Sequence, residues 1–173
     1  YPISTFKQAR IENSAYFFNA LGSQYQNIRN YSEAADAYFQ AFSQDPNFHS
    51  ARIRWLQCLN QLNRYPQVIV ESDKIHDIEN QQFDYHLIRA NAFFGLQDYP
   101  EALNELIKAN KLYDSDIRVL NLMGMTFANM ENFEEGVRSL EASLTILPDQ
   151  PQIQRLLTEM KKNVAVMSKG KTQ

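Results

Sequence analysis

Cysteine, glycine and proline are scarce in this 173-residue sequence, which contains one, five and six of them, respectively. The single cysteine, Cys58, excludes an internal disulfide and fits a reducing compartment, so a cytoplasmic location is weakly favoured. Few glycines and prolines argue against a β-rich protein with many turns and favour helices with short connections. No apolar run approaches about 20 residues, so no membrane insertion is expected in this segment.

Charge is also nearly balanced, at a formal net value of −3, and no block of one sign stands out. This pattern argues against nucleic acid as a partner. Apolar residues make up 44% of the chain, which is enough for a packed core. The first residue is Tyr1 rather than methionine, so an upstream segment is expected to have been removed.

A period of 34 residues organises the chain. Four aromatic residues follow one another at this interval without an insertion: Tyr31, Tyr65, Tyr99 and Phe133. Four further columns of the same period are mostly apolar or small: Ala34, Val68, Ala102 and Gly136; Tyr25, Leu59, Phe93 and Phe127; Ile28, Leu62, Leu96 and Met130; Gly22, Leu56, Ala90 and Gly124. Such self-similarity predicts a repeat array, in which each unit buries its apolar face against its neighbours.

Each period reads as two short helices. Apolar residues in its first and second parts step by three and four, as on one face of a helix. A turn of about three residues is expected between the helices, at 30–32, 64–66, 98–100 and 132–134. Pro66 and Pro100 then fall where the second helix begins, a position where the missing N–H of proline costs nothing.

The pattern of the first unit resembles the tetratricopeptide repeat. The residues that carry the resemblance are Phe18, Leu21, Gly22, Tyr25, Ala34, Tyr38, Ala41 and Pro46. The second unit departs most, since Leu56 replaces the glycine and Ser72 replaces the second-helix aromatic. The resemblance covers about residues 15–150. It implies an all-α, right-handed α-α superhelix of four helix hairpins plus a C-terminal capping helix.

This fold predicts the following division of the chain. The ranges are 1–14 for an N-terminal helical extension, 15–48, 49–82, 83–116 and 117–150 for the four repeats, 151–167 for the capping helix and 168–173 for a disordered tail. The extension either lengthens the first helix or is the remnant of an earlier unit. The capping helix is amphipathic, as the end of a solenoid requires.

Catalytic chemistry is not indicated. The three histidines, His49, His76 and His86, lack a second ligand at helical spacing, so no metal site and no cofactor are predicted. Cys58 lies beside the core column and has no histidine at helical spacing, which favours a buried side chain over a nucleophile. Acidic pairs such as Asp114 and Asp116 lie in or beside turns, where their negative charges interact favourably with the helix dipole.

A binding face is predicted instead. In tetratricopeptide arrays the first helix of each pair lines the concave groove, and the resemblance places thirteen residues there: Tyr16, Asn19, Ser23, Gln26, Arg54, Gln57, Asn60, Leu87, Asn91, Phe94, Arg118, Asn121 and Met125. Their amides could hold an extended peptide backbone, and the two arginines could hold a carboxylate. A chaperone-tail carboxylate clamp is not favoured, because none of these positions is lysine.

The leading hypothesis is a non-enzymatic scaffold or adaptor that binds a protein, a peptide or a partner helix. Three alternatives stay open at this point: a small secretion-type chaperone, a regulatory segment of a larger protein, and a self-associating assembly subunit. The partner, the pathway and the compartment are not readable from the residues.

Overall fold

The computed structural model describes residues 2–75 and 82–170, and all regular structure in these ranges is helical. The helices are α1 (Pro2–Asn27), α2 (Tyr31–Gln44), α3 (His49–Gln61), α4 (Tyr65–Ser72), α5 (Gln82–Gly95), α6 (Tyr99–Leu112), α7 (Ile117–Asn129), α8 (Phe133–Ile146) and α9 (Pro151–Gly170). Two compact units divide the chain, unit 1 (residues 1–88) and unit 2 (residues 89–173). The boundary falls inside α5.

Helices that follow one another pack together within each unit. In unit 1, α1 packs on α2, α2 on α3 and α3 on α4. In unit 2, α6 packs on α7, α7 on α8 and α8 on α9, and the Phe94 ring of α5 lies 5.6 Å from the Tyr99 ring of α6. The predicted all-α fold of four helix hairpins and a C-terminal helix is thus confirmed.

The second helix of every hairpin begins at the aromatic marker of the 34-residue period. These starting residues are Tyr31, Tyr65, Tyr99 and Phe133. The sequence-based placement of the markers within the turns is corrected here, since the turns lie at 28–30, 62–64, 96–98 and 130–132. Pro66 and Pro100 occupy the first turn of α4 and α6, as predicted.

Each turn ends the first helix with one residue in the left-handed backbone region. These residues are Arg29, Asn63, Gln97 and Glu131, with φ of 59°, 58°, 62° and 58°. The amide of the following residue donates to a carbonyl five residues back, as from Asn30 N to Tyr25 O at 2.9 Å, and the bond recurs in the other three turns. This pattern is the Schellman motif, which satisfies carbonyl groups at the helix end.

Ile28, Leu96 and Met130 do not lie on the buried helix face that the sequence pattern predicted. Their exposed fractions are 71%, 43% and 39%. The physical reason is the turn itself. These residues follow the last helical residue, so the step of three from the preceding core position no longer points inward.

The interior of unit 1 is built around aromatic rings. Tyr38 is fully buried, and a Cβ atom on Gly22 would lie 2.7 Å from its Cε1 atom. Glycine at position 22 therefore makes room for the tyrosine ring. Trp55 packs against Phe39 and Phe42 at centroid distances of 5.6 and 5.1 Å. Trp55 is buried.

Two glycines line a close helix crossing in unit 2. A Cβ atom on Gly124 of α7 would overlap the side chain of Leu140 and lie 3.5 Å from the carbonyl oxygen of Gly136 on α8. A Cβ atom on Gly136 would overlap the end of the Met160 side chain of α9. Leu140 and Met160 are buried. The small residues of these columns therefore leave room for large side chains of the next helix.

The second hairpin differs from the others where its sequence does. α4 has 8 residues, whereas α2, α6 and α8 have 14 each. Ser72, which stands in the column of Tyr38, is buried at the end of α4, and its hydroxyl donates to the carbonyl of Ile69 at 2.9 Å. A small polar residue thus replaces the large core residue, and the helix ends there.

The predicted N-terminal extension and part of the predicted tail are continuous with the helices next to them. α1 runs without a break from Pro2 to Asn27, which favours a lengthened first helix over the remnant of an earlier unit. α9 extends to Gly170, so residues 168–170 of the predicted tail are helical, whereas residues 171–173 lie outside the described part of the chain. His76 also lies outside the described residues.

Candidate functional site

Side chains of α1 and α3 form the candidate face of unit 1. Tyr16 and Arg54 are exposed on it, while Asn19, Ser23, Gln26 and Gln57 are half-buried. The buried residues of the same helices alternate with these positions, since Ala15, Gly22 and Leu56 are inaccessible. We refer to the six accessible residues as the unit 1 face.

The unit 1 face is joined to the core through Tyr38. The Tyr38 hydroxyl donates to Gln26 Oε1 at 2.7 Å. The Arg54 guanidinium carbon lies 5.9 Å from the centroid of the Tyr38 ring, within the range of a cation–π contact. Gln26 and Arg54, which come from different helices, are therefore brought to the same buried ring.

Asn60 and Leu87 take part in packing between helices. Asn60 Nδ2 donates to the carbonyl oxygen of Ile88 at 2.8 Å, which ties α3 to α5. Leu87 is only 7% exposed. Leu87, which the sequence placed in the groove, therefore offers little accessible area to a ligand.

In unit 2, the candidate residues lie on α5 and α7. Asn91 and Arg118 are exposed, and Phe94, Asn121 and Met125 are half-buried. Arg118 already has a carboxylate partner. Its Nη2 atom lies 2.7 Å from Asp116 Oδ2 and its Nε atom 3.0 Å from Asp116 Oδ1. These bonds lower the pKa of Asp116, so the pair stays ionised.

Asn121 is held by a small network of amides and a hydroxyl. Its Nδ2 atom donates to Gln150 Oε1 at 2.8 Å. Gln150 Nε2 donates to Ser143 Oγ at 3.0 Å and to the carbonyl of Leu147 at 2.8 Å. Gln150 therefore links α7 to the end of α8, immediately before α9 begins.

Three of the predicted amides keep a buried oxygen without a partner. Within the described part of the chain, the Oδ1 atoms of Asn19, Asn60 and Asn121 are inaccessible and accept no hydrogen bond. Buried amide oxygens are usually satisfied. Because these three atoms are inaccessible, they lie inside the helix packing and are not contact points for a bound segment.

Sequence reasoning missed three residues of these faces. The Tyr38 hydroxyl was hidden because position 38 belongs to a core column. Asp116 could have been found, because an aspartate two residues before Arg118 at a helix start is a typical cap, and its Oδ1 accepts from the Arg118 amide at 2.8 Å. Gln150 carries no local signal, since its partners are distant in sequence.

Solved structures provide the comparison for this geometry. Neither a protein-family model nor a curated protein sequence matches the chain. A MamA fragment from Desulfovibrio magneticus RS-1 is 16% identical with a TM-score of 0.75, over 90% of this chain and 92% of that chain. A thermophilic TPR protein from Thermus thermophilus is also 16% identical, with a TM-score of 0.72 over 87% and 82%. The fold is a tetratricopeptide-repeat fold.

Several titratable groups of this tetratricopeptide-repeat fold are engaged in ion pairs or in side-chain packing. Glu105 is buried, and its Oε1 atom lies 3.1 Å from Lys108 Nζ and 3.6 Å from Arg89 Nε. His49 and His86 are half-buried, and His86 lies edge-on to Tyr85. In residues 2–75 and 82–170, no three His, Cys, Asp or Glu side chains are grouped as a metal site would require.

A helix must be long and predominantly apolar to cross a membrane. None of the described helices combines the length and the apolar character that crossing a bilayer demands.

Cys58 is the free cysteine of the repeat array and is buried beside Leu59. Burial raises the pKa of its thiol from 9.0 to about 11, because the thiolate would lose its hydration. The neutral thiol is therefore the form present at neutral pH, which supports the predicted packing role. A nucleophile would need a lowered pKa.

This burial predicts how stability depends on alkaline pH. The raised pKa contributes stability that is fully present below pH 9 and is lost as pH rises toward 11. Relative to a Cys58→Ala variant, the wild-type chain should lose about 2 kcal/mol of unfolding free energy by about pH 10.5. Urea denaturation of both proteins at several pH values measures this difference. A constant gap between them from pH 7.5 to pH 10.5 would contradict the assignment.

Proposed function

We propose that this chain is a protein-interaction scaffold that holds an extended peptide, or a partner helix, on the first-helix face of either unit. The observation that carries the proposal is the combination of accessible amides, hydroxyls and aromatic rings on helices whose other faces are buried. Binding on preformed helices loses little conformational entropy. Amides can also donate to and accept from a peptide backbone without reading its sequence.

Amide side chains recur at one position of the repeat. Asn19 in unit 1 and Asn121 in unit 2 occupy the same column, and both residues are half-buried. An accessible amide on either face suits a polypeptide backbone, which offers an N–H group at every residue except proline.

Selection and mapping together test the proposal. Random dodecapeptides displayed on phage are selected on the immobilised chain, and the recovered peptides are titrated into ¹⁵N-labelled protein. We expect the amide shift changes to centre on Asn19, Arg54 and Gln57 in unit 1, or on Asn91 and Asn121 in unit 2. An Arg54→Ala/Asn91→Ala variant serves as the control and should bind the same peptides at least about tenfold more weakly.

The opposite mapping would reject the proposal. If the shift changes centre on exposed residues of the second helices, such as Glu33, Glu101 or Glu141, the ligand binds the outer side of the hairpins. The fold would then be unchanged, but the first-helix faces would not be the binding surface.

A further inference from the structure

Arg54 differs from Arg118, the other arginine that the sequence assigned to binding. Arg118 is held by Asp116 through a bidentate ion pair. Arg54 is exposed, and within the described part of the chain it forms neither an ion pair nor a hydrogen bond through its side chain. Its guanidinium group lies instead near the buried Tyr38 ring. The cation is thus positioned by an aromatic face, while its hydrogen-bonding edge has no acidic partner.

Two uncharged amide side chains accompany this cation on the unit 1 face. The Tyr38 ring beneath Arg54 donates through its hydroxyl to Gln26, so the ring is fixed in orientation. Gln57 is half-buried on the same helix as Arg54. A guanidinium group that is held in place but not neutralised is suited to a carboxylate, because the two groups form parallel charge-assisted hydrogen bonds.

The unit 1 face also offers an aromatic contact. Tyr16 is 63% exposed, and its ring packs against the ring of Phe48 at a centroid distance of 5.1 Å. Phe48 precedes Arg54 by six residues along α3, which is about 9 Å, and Tyr16 precedes Gln26 by ten residues along α1, which is about 15 Å. An extended peptide rises about 3.3 Å per residue, so it covers these distances in three to five residues.

We propose that the unit 1 face binds an extended acidic segment in which a glutamate or aspartate pairs with Arg54 and a bulky apolar residue, three to five positions away, packs on Tyr16. The segment between them passes Asn19 and Ser23. The inference rests on the proposed function and adds the chemistry of the ligand to it. It also assigns unequal roles to the two arginines, because Arg118 is occupied by its own chain.

The probes are synthetic decapeptide pools, acetylated and amidated so that no terminal charge remains. Each pool fixes one phenylalanine and one glutamate three to five positions apart, in either order, with neutral residues elsewhere. Matched pools carry glutamine instead of glutamate, or place glutamate directly beside phenylalanine. Affinities are measured by fluorescence anisotropy of labelled pools in 50 mM and 150 mM NaCl.

The expected result is specific to one side chain. The glutamate pool should bind the wild-type chain about tenfold more tightly than the glutamine pool in 50 mM NaCl, and less so in 150 mM NaCl. Arg54→Gln should abolish this preference, Arg54→Lys should keep part of it, and Arg118→Gln should leave it unchanged. Tyr16→Ala should weaken both pools, because the aromatic contact does not depend on charge.

Several outcomes would overturn the inference. One is equal binding of the glutamate and glutamine pools, which would leave the scaffold proposal intact. Another is a glutamate preference that survives Arg54→Gln or disappears in Arg118→Gln. Tighter binding of the pool with adjacent glutamate and phenylalanine would also reject it, and so would absence of binding by every pool while phage-selected peptides still map to the first-helix faces.

Discussion

Replacing Gly124 with alanine should lower the free energy of unfolding by roughly 1–3 kcal/mol, which is the usual cost of overpacking a core. The new methyl group would occupy space that the Leu140 side chain fills, with Leu140 Cγ only 2.5 Å away. Leu140 is fully buried, so its side chain cannot turn outward without moving other core residues. The higher helix propensity of alanine, about 1 kcal/mol, offsets only part of this cost. Urea denaturation followed by far-UV circular dichroism measures the change.

A double-mutant cycle assigns the effect to this contact. Leu140→Ala alone should cost about 2–5 kcal/mol, because it leaves a cavity. In the double variant the methyl group of residue 124 partly fills that cavity, so the combined cost should be at least about 1 kcal/mol below the sum. Gly95→Ala is the matched control at an exposed helix end and should be neutral or slightly stabilising. Additive costs, or a Gly124→Ala variant as stable as Gly95→Ala, would show that the crossing is not tightly packed.

The helix hairpins could be predicted because each of them is specified locally. Tyr31 and its three counterparts recur at one interval, and in the structure all four begin a helix. The turn boundaries were less accessible to sequence reasoning. Arg29 and its counterparts adopt positive φ although none is glycine, so the usual residue signal for a helix end is missing. The aromatic residue after the turn was therefore assigned to the turn itself.

The residues of the candidate faces could be predicted from the sequence, but their contact partners could not. The 34-residue period placed Arg54 and Arg118 on first helices, and both are exposed. Which of them is neutralised depends on Asp116, whose position at the start of α7 became evident only with the helix boundary. The contact of Arg54 with Tyr38 joins residues of different helices, and no periodic pattern within one helix contains such information.

Glycine at the four left-handed turn positions should stabilise the protein. The φ values of Arg29, Gln97 and Glu131 are 59°, 62° and 58°, a region that costs a residue with a side chain about 1–2 kcal/mol relative to the right-handed region. Glycine avoids this cost but loses more backbone entropy on folding, by about 0.5–1 kcal/mol. Each substitution should therefore add about 0.5–1 kcal/mol, with the smallest gain at Asn63, because asparagine tolerates this region.

The four substitutions lie in separate turns, so their effects should nearly add, to about 2–3 kcal/mol in the quadruple variant. Two glutamines provide the matched comparison. Gln97→Gly changes a residue with positive φ, whereas Gln24→Gly changes an exposed residue inside α1. The first should raise the free energy of unfolding, and the second should lower it by up to about 1 kcal/mol, because glycine is a poor helix former. If urea denaturation shows both variants shifting in the same direction, backbone strain does not limit the stability of these turns, and the Schellman hydrogen bonds alone account for their geometry.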